Sequence, residues 1–552
     1  MLHSWGAAAF FPLEELEAGL TGHGLTAGAG NVIERFDVEV LALQEDVGVG
    51  FPVVLIRTSG EFIDSAGGVA AGMSGSPVYL STGGGDALLG AIGFTFPRSD
   101  HSLALVTPID VMRGGLRSVT PFNERAFTGL GEPRPVTTPL LLSGVSDRAA
   151  THLEELFSSE RVAPLPVQVA GANSAMDDAF ELEPGSAISV QLVRGDITVS
   201  AVGTLTLLEE DRFHAFGHPL LGHGEVSFAL APAYVSHIVQ SQVTPFKLAD
   251  SGKRILGAVR EDRPFTVSGR LDVEPDFIPV TLTLNLPRGS VVKRFEIAPG
   301  ERYYGPLLAA ASLQAFDNAM AEISGGTAEL AWEISLAGGD TLRLLEQTSD
   351  VADVGLSAAR LAAEPLIILA DNVFADPQVQ EIELTMQVEE ALRTAEIAEV
   401  VPESETPRPG EILVAHVRLQ PYRDEPVVKT VEVQLPVDVD GPLEVTFRGG
   451  SEREEPVDDG ELPILSFAEL LVALRDHVQA SELVVETVID GELRRLARLP
   501  QPYLIEGSKT LTIDIDGVKT APPEIEEEEP EEPREEPTDP PFDEPPLDRG
   551  PR

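Results

Sequence analysis

The sequence predicts a mainly β protein in which two β-rich halves precede further β domains, with helix in the minority. Three observations carry that prediction. In RFDVEV, Phe36, Val38 and Val40 alternate with Arg35, Asp37 and Glu39, and in VTLTLNL the residues Val280, Leu282, Leu284 and Leu286 share one face. A period of two marks a half-buried strand. AISVQLVRGDITVSAVGTLTLL reads as a strand, a tight turn at Arg194-Gly195-Asp196 and a second strand run. Helical patches are few: SDRAATHLEELF (146–157), LLAAASLQAFDNAMAEI (307–323) and SFAELLVALRDHV, where Ser466 and Glu469 have capping-box spacing.

Composition shifts divide the chain, whose 552 residues are too many for one core. A Pro-rich bridge, GEPRPVTTP (131–139), separates a first half (1–130) from a second (131–255). VPESETPRPG (401–410) reads as a linker between a β-rich domain with helix (256–400) and a β-sandwich-like domain (401–520). Residues 521–552 hold 13 acidic residues and 10 prolines. That composition cannot bury a core, so a disordered tail is expected there.

A formal charge of −51 argues against nucleic acid and anionic membrane surfaces as partners, because the phosphate interaction would be repulsive. With no cysteine, the chain has no disulfide, no thiolate-bound metal and no thiol nucleophile. No segment has the run of apolar residues that a membrane helix requires, so no integral membrane segment is expected. The start, MLHSWGAAAFFPLEEL, is an apolar run without a basic region before it, which fits the remnant of a longer leader.

Two short stretches could carry chemistry. In AAGMSGSPVYL (70–80), Gly72 and Gly75 flank Met73-Ser74, so the backbone can turn sharply and gather N–H groups around a serine. Ser74 sits at the bend, where its Oγ is expected to be exposed. Ser76 precedes Pro77 and is biased towards an extended, loop-holding role. A serine nucleophile also needs a base. FHAFGHPLLGHG supplies His214, His218 and His223. Gly217, Pro219 and Gly222 break any helix that would align these three on a metal, so neither metal nor other cofactor is expected. A turn merely lined by histidines is the structural alternative, and a general base is the functional one.

The runs SGEFIDSAGGVAAGMSGSPVYL, LLGAIGF and LALVTPIDVM, with VGTLTLLEEDRFHAFGHPLLGHG, resemble the peptidase domain of the SpoIVB-type serine peptidases, over roughly residues 10 to 255. The resemblance implies a trypsin-like double β-barrel and an acyl-transfer mechanism. It carries the nucleophile onto Ser74, the base onto His218, and the oxyanion-hole N–H groups onto Gly72 and Ser74. Two departures stand out. Ser74 precedes His218, the reverse of the family order, and at the family's acid position this chain has Ser59. Asp64 is the nearest candidate acid, with Asp100 and Asp110 further options.

The expectation is therefore a serine endopeptidase acting on a protein or peptide, self-cleaving or partner-specific, in an extracytoplasmic setting that the resemblance implies. The alternative is an inactive peptidase-fold protein that serves as a binding scaffold. Oligomeric state is not legible.

Overall fold

The computed structural model describes residues 9–96, 99–115, 129–143, 148, 167–169, 180–320, 323–404, 407–437, 439, 441–452 and 464–514. The expected helix at 146–157 and the acidic tail lie outside the described residues. The molecule is mainly β, as expected, with two closed six-stranded antiparallel barrels followed by β domains.

The first barrel uses β1 (Thr21–Ala29), β2 (Val32–Gln44), β3 (Val53–Ser59), β4 (Pro77–Thr82), β5 (Gly85–Thr95) and β6 (Leu103–Pro108). Their order is β4-β1-β2-β3-β6-β5, and β4 pairs with β5 to close it. Helices α1 (Glu61–Ala66) and α2 (Ile109–Met112) are single turns at its ends. Phe36, Val38 and Val40 of RFDVEV point inward with Val54, Ile56, Val78 and Val106, while their neighbours face water. Closure removes the unpaired sheet edges that would otherwise invite aggregation. A two-residue strand, β7 (Arg134–Pro135), adds to the outside of β5.

The second barrel follows β8 (Leu140–Ser143) and β9 (Val167–Val169). It comprises β10 (Ala187–Gly195), β11 (Thr198–Glu209), β12 (Arg212–Ala215), β13 (Gly224–Val239), β15 (Gly257–Arg263) and β16 (Thr266–Leu271), while β14 (Phe246–Ser251) pairs with β13 outside the ring. The order is β10-β13-β15-β16-β12-β11, closed by the β10–β11 hairpin whose turn is the expected Arg194-Gly195-Asp196. The sequence boundary at residue 255 therefore falls short, because β15 and β16 complete the ring. Alternation identifies a strand but not the neighbours it will pair with.

The sheet continues beyond the barrel. In β17 (Ile278–Leu286), β18 (Gly289–Ile297), β19 (Gly326–Leu336), β20 (Thr341–Asp350) and β21 (Val379–Glu389) the order is β20-β19-β21-β17-β18, and β18 pairs with β10. Helices α3 (Glu301–Ala319) and α4 (Val354–Ala370) pack on it and on each other. The sequence anticipated α3 but not α4. Pro365 lies inside α4, and an internal proline ordinarily argues against helix.

Next come β22 (Thr394–Pro402), β23 (Ile412–Pro421), β24 (Val427–Gln434), β25 (Pro442–Gly449), α5 (Phe467–Arg475), β26 (Glu482–Ile489), β27 (Glu492–Pro500), β28 (Leu504–Glu506) and β29 (Ser508–Asp514). They form two four-stranded sheets, β24-β23-β22-β28 and β27-β26-β25-β29, around a shared core that includes Ile397, Val417, Val445 and Phe447. This is the expected sandwich, but it begins at β22. VPESETPRPG is thus a connection between paired strands and not a domain linker; a Pro- and Gly-rich turn has the same composition in either place. Ser466 caps the helix as its spacing suggested: its Oγ accepts from Glu469 N at 3.2 Å, while the Glu469 carboxylate accepts from Leu465 N, one residue before the cap. No helix among the described residues is long and apolar enough to cross a membrane.

Candidate functional site

The two barrels meet along a seam of small side chains. Ala27 of β1 packs with Ala187, Val202, Ala233, Val235 and Ala249 of the second barrel. Their size lets the backbones come close enough to bond directly: Gly30 and Val235 exchange both hydrogen bonds, at 2.6 and 3.0 Å. Ala71 N donates to Pro245 O, and Lys247 N donates to Ala71 O.

The serine loop lies in this seam and is held by β11. Thr204 N donates to Ser74 O at 2.7 Å, Thr204 Oγ1 to Gly72 O at 3.0 Å and Thr206 Oγ1 to Gly75 O at 2.7 Å. Gly72 and Gly75 have φ of +88° and +92°. That conformation is open to glycine at little cost, as the sequence reading required. From the other side comes the loop Ala215-Phe216-Gly217-His218-Pro219. Thr107 Oγ1 of β6 donates to Gly217 O at 2.6 Å, and a Cβ on Gly93 of β5 would sit 2.4 Å from that oxygen. The two loops touch: a Cβ on Gly75 would lie 2.5 Å from Phe216 N. Phe216 itself has φ of +67°, a strained conformation for an aromatic residue.

The loops that carry Ser74 and His218 thus meet in the seam, with no hydrogen bond between the two side chains. Ser74 Oγ, Ser76 Oγ and His218 Nε2 are buried without a hydrogen-bond partner. Buried polar atoms are nearly always bonded, so each orphan asks for an explanation. The expectation of an exposed Ser74 is overturned: the residue is 0% exposed and His218 1%. Ser74 lies in the seam between the barrels, where its carbonyl accepts from Thr204 N of β11.

His218 Nδ1 lies 2.6 Å from Pro219 O. A carbonyl only accepts, so Nδ1 carries the proton and neutral Nε2 keeps its lone pair. Burial holds the imidazole pKa down at about 4, against a smaller opposite pull from the Pro219 and Val136 carbonyls. Among the described residues no carboxylate bonds either nitrogen. Asp64 is exposed on α1 and does not meet His218; Asp100 caps Ser102 N, and Asp110 lines a different cleft. The candidate acid is therefore not assembled, and a backbone carbonyl stands where an acid would orient the ring.

Two residues that the sequence reading missed support the site. Asp262, fully buried, accepts from the backbone N–H groups of Leu220, Leu221 and Gly222 at 2.6–2.7 Å, fixing the turn after His218. Burial pushes its carboxyl pKa up, and the three donors pull it back less strongly. Asp262→Ala would strand three donors, each at a cost of about 1–3 kcal/mol where it stays buried. The expected result is faster hydrogen exchange at the amides of residues 220–222, with Asp262→Asn intermediate. Unchanged exchange in Asp262→Ala would show that the carboxylate does not hold the turn.

Lys247 is the second. Its stem runs beside Gly72, its Nζ donates to Thr26 Oγ1 at 2.7 Å, and burial depresses its pKa to about 7. The folded value lies below the unfolded one, so the unfolded chain binds the proton more tightly. Stability from this group is full above about pH 10.5 and falls as pH drops towards 7, by roughly 5 kcal/mol for a shift of this size. Lys247→Met should flatten that slope in thermal unfolding followed between pH 10 and 7. Identical slopes would refute the assignment.

The three histidines diverge. His223 stacks on Tyr303 of α3 and bonds its hydroxyl, whereas His214 lines a cleft of about 830 Å³ between α2 and the outer face of β12, β15 and β16. Arg113, Arg212, Arg260, Arg263 and Arg270 line the same cleft, and four of them are ion-paired, to Glu209, Asp276, Glu261 and Asp211. Among the described residues no group of three or more His, Asp or Glu side chains converges as a metal site.

The fold and site define a double-barrel β protein with a glycine-flanked serine and a histidine facing a common seam. No protein-family model, no curated protein and no solved structure matches the chain.

Proposed function

We propose that the chain is a serine peptidase, similar to the SpoIVB type, with Ser74 as nucleophile and His218 as base. The observation that carries this reading is the convergence of GMSGSP and AFGHP, from separate barrels, on one seam, with the histidine tautomer fixed so that Nε2 can accept a proton. A turn with incidental serines needs neither.

In the reaction, Ser74 Oγ attacks the peptide carbonyl carbon as Nε2 takes its proton. The Gly72 and Ser74 N–H groups hold the oxyanion, each such donor contributing about 3–4 kcal/mol where one has been removed. His218 returns the proton to the leaving amine, and water then hydrolyses the ester by the same route. The Pro219 carbonyl orients the imidazole but carries no full charge to stabilise the imidazolium, so a slow enzyme is expected. An extracytoplasmic protein substrate belongs to the same reading, and cell fractionation tests that location.

The second reading is a binding scaffold that has kept the peptidase fold. The lack of a carboxylate on His218 among the described residues and the complete burial of Ser74 favour it. A fluorophosphonate separates the two, because only an activated serine reacts. Covalent labelling that maps to Ser74 supports the peptidase; no labelling under any condition refutes it.

A further inference from the structure

The segment that links the barrels, residues 131–139, does more than connect them. Arg134 and Pro135 pair antiparallel with Thr95 and Phe94 of β5, and Val136 N donates to Gly93 O at 2.9 Å. The next carbonyl, that of Thr137, accepts from Gly72 N at 3.2 Å, and Pro139 O accepts from Val202 N of β11. Val136 is buried in the first barrel's core cluster, Thr138 is 4% exposed, and the Val136 carbonyl faces the His218 ring. An extended chain thus runs from β5 to β11 past the Gly72 N–H of the serine loop and the His218 ring.

Each of these positions is one that a peptide substrate needs. Peptides bind sheet edges by adding a strand, with main-chain bonds giving affinity. An acyl-transfer site aims backbone N–H groups at the oxygen of the bond to be cut. Here the Gly72 N–H, an oxyanion donor in the reading above, is already taken by Thr137 O. We infer that the inter-barrel segment Arg134–Pro139 occupies the site in cis as a substrate-like strand, so that the chain blocks itself until this strand is unseated. The inference rests on the peptidase reading and adds its regulation: the occupant is the chain's own Pro-Val-Thr-Thr-Pro segment, with Thr137 at the oxyanion position. It also accounts for a nucleophile and a base that are both out of contact with water.

The test is the rate of fluorophosphonate labelling of Ser74 in the full chain and in two variants. Val136→Asp places a carboxylate where the strand must bury an apolar side chain. The second variant carries a site-specific endopeptidase sequence in place of the exposed stretch around Gly129–Gly131, so that the strand loses its tether on one side when nicked. If the open state is about 1–10% populated in the intact chain, release should raise the rate about tenfold or more. A synthetic peptide of sequence EPRPVTTPLL should lower it again in the nicked form. The acid limb of the labelling profile should also move upward, from about pH 4 towards the value of a solvated imidazole near 6.5. Equal rates in the intact, nicked and Val136→Asp proteins, with labelling still abolished in Ser74→Ala, would overturn the blocking strand and leave the peptidase standing. No labelling in any form would remove both.

Discussion

Ser74→Ala is expected to abolish both fluorophosphonate labelling and peptide hydrolysis, and His218→Ala to do nearly the same. Serine–histidine pairs act as a unit. Removing either member costs about a millionfold in kcat, and removing both costs little more. The double variant should therefore be about as inactive as each single one. Ser76→Ala, His214→Ala and His223→Ala should retain measurable hydrolysis. His214 lines the arginine cleft, His223 bonds Tyr303, and the Ser76 backbone, with its N–H on Met73 O, leads into β4. The measurement is labelling rate and turnover on strand-released protein, so that the block does not mask the difference. A fully active Ser74→Ala protein would end the peptidase reading.

Gly75→Ala should cause the largest loss of stability of any single methylene-sized change at the site. The new Cβ would fall 2.0 Å from Thr204 O and 2.5 Å from Phe216 N, both backbone atoms that cannot swing aside. The backbone at Gly75 also has φ of +92°, where a side chain adds about 1–2 kcal/mol of strain. A loss above about 4 kcal/mol is expected, the range reserved for such backbone conflicts. Calorimetry should show the barrel transition moved well below that of the wild type while the sandwich transition stays in place. By contrast, Gly83→Ala, in the exposed β4–β5 turn with nothing within 4 Å, should leave both unchanged. If Gly75→Ala melts like wild type, the seam geometry is wrong.

Much of the fold was legible because barrels and sandwiches are written in a period of two, which RFDVEV and VTLTLNL display without ambiguity. The hairpin at Gly195 and the Ser466 cap were equally local signals. What was not legible is pairing. Neither the closing of the second barrel by β15 and β16 nor the inclusion of β22 in the sandwich has a local signature, since both depend on partners far along the chain. The glycines of GMSGSP pointed correctly to a sharp turn, while the burial of Ser74 depended on the seam with the second barrel, where β11 bonds the loop. The acid was sought near Asp64, on the serine's own segment. The buried carboxylate that does bear on the histidine turn is Asp262, in EDRPF, which carries no motif; its role comes from three N–H groups brought to it by the barrel.

The division of the site between two barrels also sets when it can exist. Ribosomes deliver the chain from its N-terminus at about 5–20 residues per second, and domains tend to fold as they emerge. The first barrel can close as soon as β6 has appeared, while its serine loop still waits for the β11 bonds that hold it. Asp262 and the strands that shape the histidine turn follow about 8 to 33 seconds later at those speeds. The covering strand lies between the two in chain order, so it is made before the histidine it will face. In the proposed reading, a newborn chain therefore has no working site throughout synthesis, first for want of a proton acceptor and then because its own strand already fills the site.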